Sequence, residues 1–303
     1  MNIAVTGATG LIGSALVPAL RRDGHTVRVL VRRPPRGNFE IPWDPGAGML
    51  DPAALTGLDA VVHLAGVGVG DHRWTDSYKR QILDSRVAGT TLLADALAGL
   101  DGPPRVLLSA SAVGWYGDTD DRVVDESAPP GTGFLAEVTA AWEAATAAAE
   151  QAGVRVCHLR SGVVLAARGG ALARQLPLFR LGVAGRLGSG RQWLSWLTLA
   201  DEIAAIGFLL TADAVHGPVN LTSPEPVTNA AFTRALSSTL RRPAILPVPA
   251  VALRVVLGDF ADEGVLVSQR VIPQVLTEAG FAFSQPDIHT ALHAVIANAD
   301  GDR

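Results

Sequence analysis

Apolar and polar residues in the first part of the chain follow two different patterns. Apolar residues dominate Ile3–Val5 and Thr26–Val31, whereas apolar and polar residues are mixed over the longer segment Ser14–Arg22. The short apolar runs predict two β-strands, and the mixed segment predicts a helix between them. A strand, a helix and a second strand in this order predict a βαβ unit with parallel strands.

The alternation of strands and helices continues along the chain. Further strands are predicted at Ala60–Ala65, Arg105–Ser109, Val154–Leu159, Trp193–Leu199 and Gly217–Leu221, and further helices at Asp76–Leu97, Thr132–Ala152, Ala200–Thr211, Asn229–Leu240 and Ala250–Leu257. The Pro- and Gly-rich stretch Pro34–Pro52 carries no strand prediction. A near-continuous apolar strand such as Ala60–Ala65 is typical of a parallel sheet covered on both faces. The pattern predicts an α/β fold with a doubly wound parallel sheet.

The regular alternation loosens beyond Leu165. We therefore predict a dinucleotide-binding domain over residues 1–168 and a smaller C-terminal substrate lobe over residues 169–303, with residues 193–224 returning to the sheet. Ligands of such folds bind beyond the carboxyl ends of the strands. We expect the substrate in the cleft between the two parts.

Three glycines follow the first strand at a regular spacing. Gly7, Gly10 and Gly13 form a G-x-x-G-x-x-G pattern between the first strand and the first helix. Glycines in this context allow a tight turn and a close approach to a pyrophosphate, which binds at the helix N-terminus. The alternative is a strand-to-helix turn that binds no ligand.

The end of the second strand indicates which dinucleotide binds. NAD sites carry Asp or Glu at this point, where the carboxylate holds the ribose 2′-hydroxyl. This chain has Arg32 and Arg33 instead. A guanidinium can bind a 2′-phosphate through two parallel hydrogen bonds, so the sequence predicts NADP(H), with Arg32 as the first candidate and Arg33 as the second. The alternative is that both are solvated loop charges.

Composition excludes several classes of protein. The chain has 303 residues, 48% of them hydrophobic and 18% charged, and a formal net charge of −4. Such a charge argues against nucleic acid or an anionic membrane as the main partner, and no apolar run reaches the length of a membrane span. The single cysteine, Cys157, cannot form an internal disulfide, and no Cys/His spacing predicts a metal site. We expect a cytoplasmic protein without a signal peptide, acting on a small-molecule substrate of unknown identity, with its oligomeric state open.

Several motifs together resemble the extended short-chain dehydrogenase/reductase family, and more closely its atypical "epimerase family protein" branch. The superfamily motifs are Thr6–Gly13, His63–Gly66, Ser109–Ser111, Tyr116–Gly117 and Leu159–Leu165, and the branch motifs are Ser85–Val87, Ser111–Gly117, Trp142–Glu143, Ser195–Trp196, Gly217–Thr222, Ser268–Pro273 and Ala279–Phe281. The resemblance covers nearly the whole chain and implies a Rossmann fold. Members of the branch usually have His where this chain has Thr198.

The resemblance also implies a set of cofactor contacts. By position they are Gly7, Gly10, Leu11, Ile12 and Gly13 at the pyrophosphate, Arg32 at the 2′-phosphate, Leu64 and Ala65 near the adenosine and its ribose, Gln81 and Arg86 on the following helix, and Val164 near the nicotinamide. Thr9, Arg33, Gly66 and Ser109 are further cofactor-binding candidates. Arg86 is equally well explained as a surface charge. For Gln81 a purely structural role is favoured.

The usual catalytic pair of the family is absent. Members typically use Tyr-x-x-x-Lys, in which the lysine lowers the pKa of the tyrosine. Phe134 and Val138 stand where the resemblance places this pair. The single lysine, Lys79, does not follow Tyr78 or Tyr116 at that spacing, and we expect it to lie away from the proton-donor position.

Three residues remain as catalytic candidates. Ser111 matches the family's substrate-orienting hydroxyl, Tyr116 follows in the same loop, and Glu143 lies on the helix that begins near Phe134. Each has a structural alternative: a loop hydroxyl, a packed aromatic ring and a solvated helix charge. Less specific candidates are Arg160 for an anionic substrate or a structural ion pair, and Trp193 and Trp196 for a substrate wall or core packing.

Two functions are compatible with these features. The first is an NADP(H)-dependent oxidoreductase or epimerase-like enzyme with a non-standard proton donor, in which the nicotinamide carries the hydride chemistry. The second is an NADP(H)-binding redox sensor or regulatory protein without turnover. The fold alone does not discriminate between them.

Overall fold

A computed structural model describes residues 1–301 of the chain. The strands are β1 (Asn2–Thr6), β2 (Thr26–Val31), β3 (Glu40–Asp44), β4 (Met49–Leu50), β5 (Ala60–His63), β6 (Val106–Ala112), β7 (Val123–Val124), β8 (Arg155–Ser161), β9 (Val163–Leu165), β10 (Trp193–Leu194), β11 (Trp196–Thr198), β12 (Gly217–Leu221), β13 (Val227–Thr228) and β14 (Arg270–Val271). The helices are α1 (Leu11–Arg22), α2 (Asp76–Ala98), α3 (Phe134–Ala144), α4 (Ala147–Gln151), α5 (Gly170–Arg180), α6 (Leu199–Thr211), α7 (Asn229–Leu240), α8 (Ala250–Leu257), α9 (Gln274–Glu278) and α10 (Ile288–Gly301).

One eight-stranded sheet organises the fold, in the order β12-β8-β6-β5-β1-β2-β3-β4. All neighbours pair in parallel except β3 and β4, which are antiparallel. Strands β1 to β4 follow one another towards one edge of the sheet. The chain then returns and places β5 on the other side of β1, from where β6, β8 and β12 follow towards the opposite edge. The predicted doubly wound α/β fold is confirmed, and ligands of such sheets bind beyond the strand ends at this switch point.

The two faces of the sheet are covered by different helices. On one face, Val5 and Leu108 pack with residues of α1 and α6. On the other face, Ala4 and Leu107 pack with residues of α2. Consecutive strand residues therefore point into opposite cores, as the period of a strand requires. This double cover explains why the central strands are apolar throughout.

Two strands lie in the stretch Pro34–Pro52, where none was predicted. In β3, Ile41 and Trp43 are buried while the residues on either side are more exposed. This period-two alternation is a strand signal, but Pro42 and the surrounding glycines obscured it. Pro42 is tolerated because β4 pairs only with Trp43 and Asp44, which leaves Pro42 without a ladder partner on that side of β3.

Several predicted elements have different bounds in the structure. Helix α1 begins at Leu11, three residues before the predicted start. The predicted helix Thr132–Ala152 is interrupted between α3 and α4, where the Thr146 hydroxyl donates to the carbonyl of Glu143 at 2.8 Å. Such side-chain hydrogen bonds to nearby carbonyls compete with the backbone hydrogen bonds that continue a helix.

The predicted strand Trp193–Leu199 is also two strands. The Ser195 hydroxyl donates to the carbonyl of Gln269 and accepts from the N–H of Val271, both at 2.8 Å. On either side of Ser195, β10 pairs with β13 and β11 pairs with β9. Long-range bonds to one serine therefore divide a segment that looks continuous in sequence.

The residues after β9 build a third core beside the sheet. Leu172 and Phe179 of α5 pack with Phe232 of α7 and Leu292 of α10. Strand β12 pairs with β8 and forms an edge of the main sheet. The proposed domain division at residue 168 stays a prediction.

Within residues 1–301, no helix is both long enough and apolar enough to cross a membrane.

One buried carboxyl group lies in the first turn of α6. Glu202 is fully buried, and one of its oxygens accepts a hydrogen bond of 2.7 Å from the Ser161 hydroxyl. The other oxygen has no partner among the described residues. Burial raises the pKa of Glu202 to about 7 from the ordinary value of 4.5.

This burial predicts a pH-dependent cost to stability. Below pH 4.5, Glu202 is protonated in both the folded and the unfolded state. Between pH 4.5 and about 7, only the unfolded state releases this proton, so the free energy of unfolding falls as the pH rises over this range. We expect Glu202→Gln to raise the free energy of unfolding by roughly 1–3 kcal/mol at pH 8 and by little at pH 4.5. Chemical denaturation at both pH values measures this, with exposed Glu137→Gln as the control. An equal effect of Glu202→Gln at both pH values would contradict the explanation.

Candidate functional site

Three glycines form the tight turn between β1 and α1. Gly7 has a φ of +66°, and a Cβ there would lie 2.6 Å from the carbonyl oxygen of Leu64. A Cβ at Gly13 would lie 2.3 Å from the carbonyl oxygen of Gly7. Gly10 precedes the first turn of α1 and offers no side-chain cap. The first-turn N–H groups are therefore left to an anionic ligand, as a pyrophosphate site requires.

Buried hydrogen bonds hold this turn against the end of β5. The Thr6 hydroxyl accepts from the N–H groups of Leu64 and Ala65 at 3.0 and 3.1 Å. Its own proton is thus directed to Nδ1 of His63, 2.8 Å away, which leaves Nε2–H to donate to Thr90 at 3.0 Å. Burial lowers the pKa of His63 to about 4, so the ring is neutral. Neither Thr6 nor His63 was predicted from the sequence to be a site residue.

A groove of about 1820 Å³ extends from the glycine turn. Its lining includes Thr9, the segment Leu64–Gly66, Gln81, and the two arginines after β2. Pockets for small ligands typically have volumes of ~300–1,000 Å³, so this groove has room for a dinucleotide. The glycine turn, the volume and the cations fit such a cofactor.

The two arginines after β2 have different surroundings. Arg33 donates to both carboxylate oxygens of Glu40, at 2.7 and 2.5 Å. The Arg33 guanidinium, together with the N–H of Arg36, lowers the pKa of Glu40 to about 2. Arg32 is exposed, and its side chain has no hydrogen bond or ion pair within residues 1–301. Of the two predicted clamps, Arg32 is the one with a free guanidinium.

Leu11, Ile12, Ser109 and Val164 are predicted cofactor contacts that are absent from the lining of this groove. Leu11 and Ile12 are half-buried in the first turn of α1, and Val164 is half-buried in β9. Ser109 lies within β6 and is almost fully buried, and its hydroxyl has no partner among the described residues.

Arg86 is half-buried and held by hydrogen bonds rather than a free surface charge. Its guanidinium donates to the carbonyl oxygens of Val67 and Ile82 at 2.9 and 3.0 Å, and lies 4.8 Å from the centre of the Trp142 ring. Burial lowers the pKa of Arg86 to about 10, which leaves it charged at neutral pH. These contacts hold the segment after β5 against α2.

The three catalytic candidates meet in one buried network. The Ser111 hydroxyl donates to Oε1 of Glu143 at 2.6 Å. Arg160 donates to both oxygens of Glu143 at 2.8 Å and to the Tyr116 hydroxyl at 3.1 Å. Tyr116 in turn donates to Oδ1 of Asn220 at 2.7 Å. The structure therefore brings together Ser111, Tyr116 and Glu143 with Arg160, which forms the ion pair that was one of its two predicted roles, and adds Asn220.

This network limits what each member can do. Tyr116 is buried, its hydroxyl already donates and accepts hydrogen bonds, and burial raises its pKa to about 12. Arg160 donates to both oxygens of Glu143, so this carboxylate is held as one half of a buried ion pair. The arrangement favours Tyr116 as a residue that positions Arg160 over a free proton donor, and it leaves Glu143 as the acceptor of the Ser111 proton.

The aromatic and lysine candidates occupy distinct places. Trp196 is fully buried in the core beside the sheet, which agrees with core packing, whereas Trp193 is half-buried and donates to Asp121 at 2.8 Å. Lys79 lies close to Phe134, which stands at the position of the family's tyrosine. Its Nζ is 5.5 Å from the centre of the Phe134 ring, although it pairs with Asp259 at 2.6 Å.

Comparisons with known proteins agree with this geometry. Residues 3–221 match the family model described as the NAD dependent epimerase/dehydratase family, and residues 248–295 match a domain of unknown function, DUF1731. The epimerase family protein Mb2239 of Mycobacterium bovis is 50% identical over 290 residues, covering 96% of each chain.

Two solved structures are also similar. Human epimerase family protein SDR39U1 with NADPH has a TM-score of 0.90 and 33% identity, covering 98% of this chain and 100% of the human one. A nucleoside-diphosphate sugar epimerase from Corynebacterium glutamicum has a TM-score of 0.80 and 36% identity, covering 97% of this chain and 58% of that one.

The buried ion pair gives a direct prediction about stability. Arg160→Met would leave the Glu143 carboxylate buried without its cation, so we expect the free energy of unfolding to fall by roughly 3–5 kcal/mol. Arg254→Met removes an arginine from an exposed pair with Asp262 and should cost far less. Denaturant titration of both variants at pH 7 tests this. Equal losses would show that the network is not the stabilising element proposed.

Proposed function

Because the chain belongs to the NAD dependent epimerase/dehydratase family, we propose that it is an NADP(H)-dependent oxidoreductase or epimerase-like enzyme with a non-standard proton path. Its substrate is a small molecule. The observation that carries the cofactor choice is the unpaired Arg32 at a groove that begins at the glycine turn. The similar human protein was solved with NADPH.

Each part of the groove has a proposed role in binding. The first-turn N–H groups after Gly10 hold the pyrophosphate, and Arg32 holds the 2′-phosphate. Leu64 and Ala65 lie against the adenosine, where Thr6 keeps their backbone in place. A bound nicotinamide supplies hydride transfer. The chain's own residues bind and orient the cofactor and manage the substrate proton.

Ser111 is the proposed contact to the substrate. Its hydroxyl donates to Glu143, so its lone pairs can accept a hydrogen bond from a substrate hydroxyl. A proton released by the substrate can then pass through Ser111 Oγ to the Glu143 carboxylate. Arg160 holds that carboxylate in place, and Tyr116 holds Arg160.

A second candidate function is a redox sensor that binds NADP(H) without turnover. It is favoured by Phe134 and Val138 at the positions of the usual pair, and by the buried hydroxyl of Tyr116. In this function the Ser111–Glu143–Arg160 network is structural. Cytoplasmic localisation and a role without nucleic-acid or membrane partners belong to both proposals.

Cofactor affinity tests the role of Arg32. We expect NADPH to bind at least about tenfold more tightly than NADH, a difference of about 1.4 kcal/mol. Arg32→Ala should remove most of this difference by weakening NADPH alone, because NADH has no 2′-phosphate. Isothermal calorimetry with both nucleotides measures it. Equal affinities in the unmodified protein would rule out the NADP(H) assignment.

Turnover discriminates between enzyme and sensor. Hydride transfer is followed at 340 nm with a panel of carbonyl compounds and sugar nucleotides. We expect Ser111→Ala to lower the rate by about a hundredfold or more, as for a positioned proton-transfer group, while NADPH affinity is unchanged. If the unmodified protein binds NADPH but transfers no hydride to any of the panel, the enzyme proposal fails and the sensor proposal replaces it.

A further inference from the structure

A carboxylate lies at the end of the groove that holds Arg32. Glu40 is the first residue of β3, in register with Val29 of β2, and lines the groove together with Arg32 and Arg33. Its carboxylate accepts two hydrogen bonds from the Arg33 side chain and one of 2.6 Å from the N–H of Arg36. The Glu40 side chain is only 17% exposed.

The balance of charge in the groove makes this pairing important. Four arginines and four carboxylates line the groove, so it has no overall positive charge that would attract a phosphate. Local pairing therefore decides where an anion binds. At the end that contains β2 and β3, Arg33 neutralises Glu40, whereas Arg32 has no ion-pair partner among the described residues.

We propose that Glu40, held by Arg33, is a specificity-determining residue for the choice between NADPH and NADH. This inference rests on the proposed NADP(H) site and assigns a role to a residue outside the glycine turn and the Arg32 clamp. While Arg33 covers it, the carboxylate neither repels a 2′-phosphate nor binds a ribose hydroxyl. Without Arg33, the same carboxylate does both, because it supplies the acidic group that NAD sites place near the ribose.

Two substitutions change the charge at this end of the groove in opposite directions. Arg33→Met exposes the Glu40 carboxylate, which then repels the 2′-phosphate and is free to accept from the 2′-hydroxyl of NADH. Glu40→Gln removes the negative charge and releases Arg33 to join Arg32 at the phosphate. The double variant Arg33→Met/Glu40→Gln carries the same net charge as the parent and leaves Arg32 unchanged.

Dissociation constants for NADPH and NADH test the proposal. For Arg33→Met we expect the NADPH-over-NADH preference to fall by about tenfold or more, and for Glu40→Gln to rise by about threefold or more. The double variant should return to within about threefold of the parent preference. Matched controls are Arg254→Met and Asp262→Asn, which make the same charge changes in an exposed pair outside the groove and should leave the preference unchanged.

The outcomes separate this inference from the proposed function. If the parent prefers NADPH and Arg32→Ala abolishes that preference, but neither Arg33→Met nor Glu40→Gln alters it, the pair is only structural and the inference is overturned. The inference is overturned as well if the preference shifts equally in the control variants, since a long-range effect of charge would then explain the shift. If the parent shows no preference for NADPH, the proposed cofactor assignment fails first.

Discussion

The site depends on the close contact between the glycine turn after β1 and the chain after β5. Gly7 and Gly13 allow backbone atoms to approach at distances that any Cβ would block. The Thr6 hydroxyl then binds two N–H groups of the chain after β5 and directs its proton to neutral His63. This contact leaves the first turn of α1 uncapped and opens the groove beside it, so fold and binding site arise from the same constraint.

A second feature is a buried hydrogen-bonded network in a chain that lacks the usual catalytic pair. Its members are linked by hydrogen bonds: Ser111 and Arg160 donate to Glu143, and Arg160 also donates to Tyr116. Fully satisfied networks of this kind order a core and position its members, whereas an unpaired member would be costly. In an enzyme, the network would fix the position of Ser111 beside the substrate. In a sensor, it would fix the positions of β6, β8 and β12 relative to the cofactor.

The sequence predicts the parts of the fold that depend on local order. The β1–turn–α1–β2 unit, the parallel sheet and the candidate cofactor residues follow from apolar runs, glycine spacing and the resemblance to the family. Elements that depend on long-range contacts were missed. Strand β3 was hidden by Pro42, and Ser195 divides a continuous apolar segment because it bonds to residues more than seventy positions away.

The same limit applies within the site. The sequence shows two arginines after β2, but only the pairing of Arg33 with Glu40, seven residues away, shows which of them is free. Likewise, Ser111, Tyr116 and Glu143 could be selected individually as candidates. Their connection through Arg160 and Asn220 requires the register of β6, β8 and β12, which aligns Ser111, Arg160 and Asn220 across the sheet.

The central claim is that the uncapped first turn after Gly10 binds the pyrophosphate of the cofactor. The most direct test is the NADPH binding isotherm of Gly10→Val. A Cβ at this position meets only the carbonyl oxygen of Gly7, at 3.3 Å, so the fold should survive. Gly102→Val, in open space on a distant loop, is the control. We expect Gly10→Val to lose NADPH binding with unchanged thermal unfolding, and Gly102→Val to bind NADPH normally. Normal NADPH affinity in a folded Gly10→Val variant would contradict it.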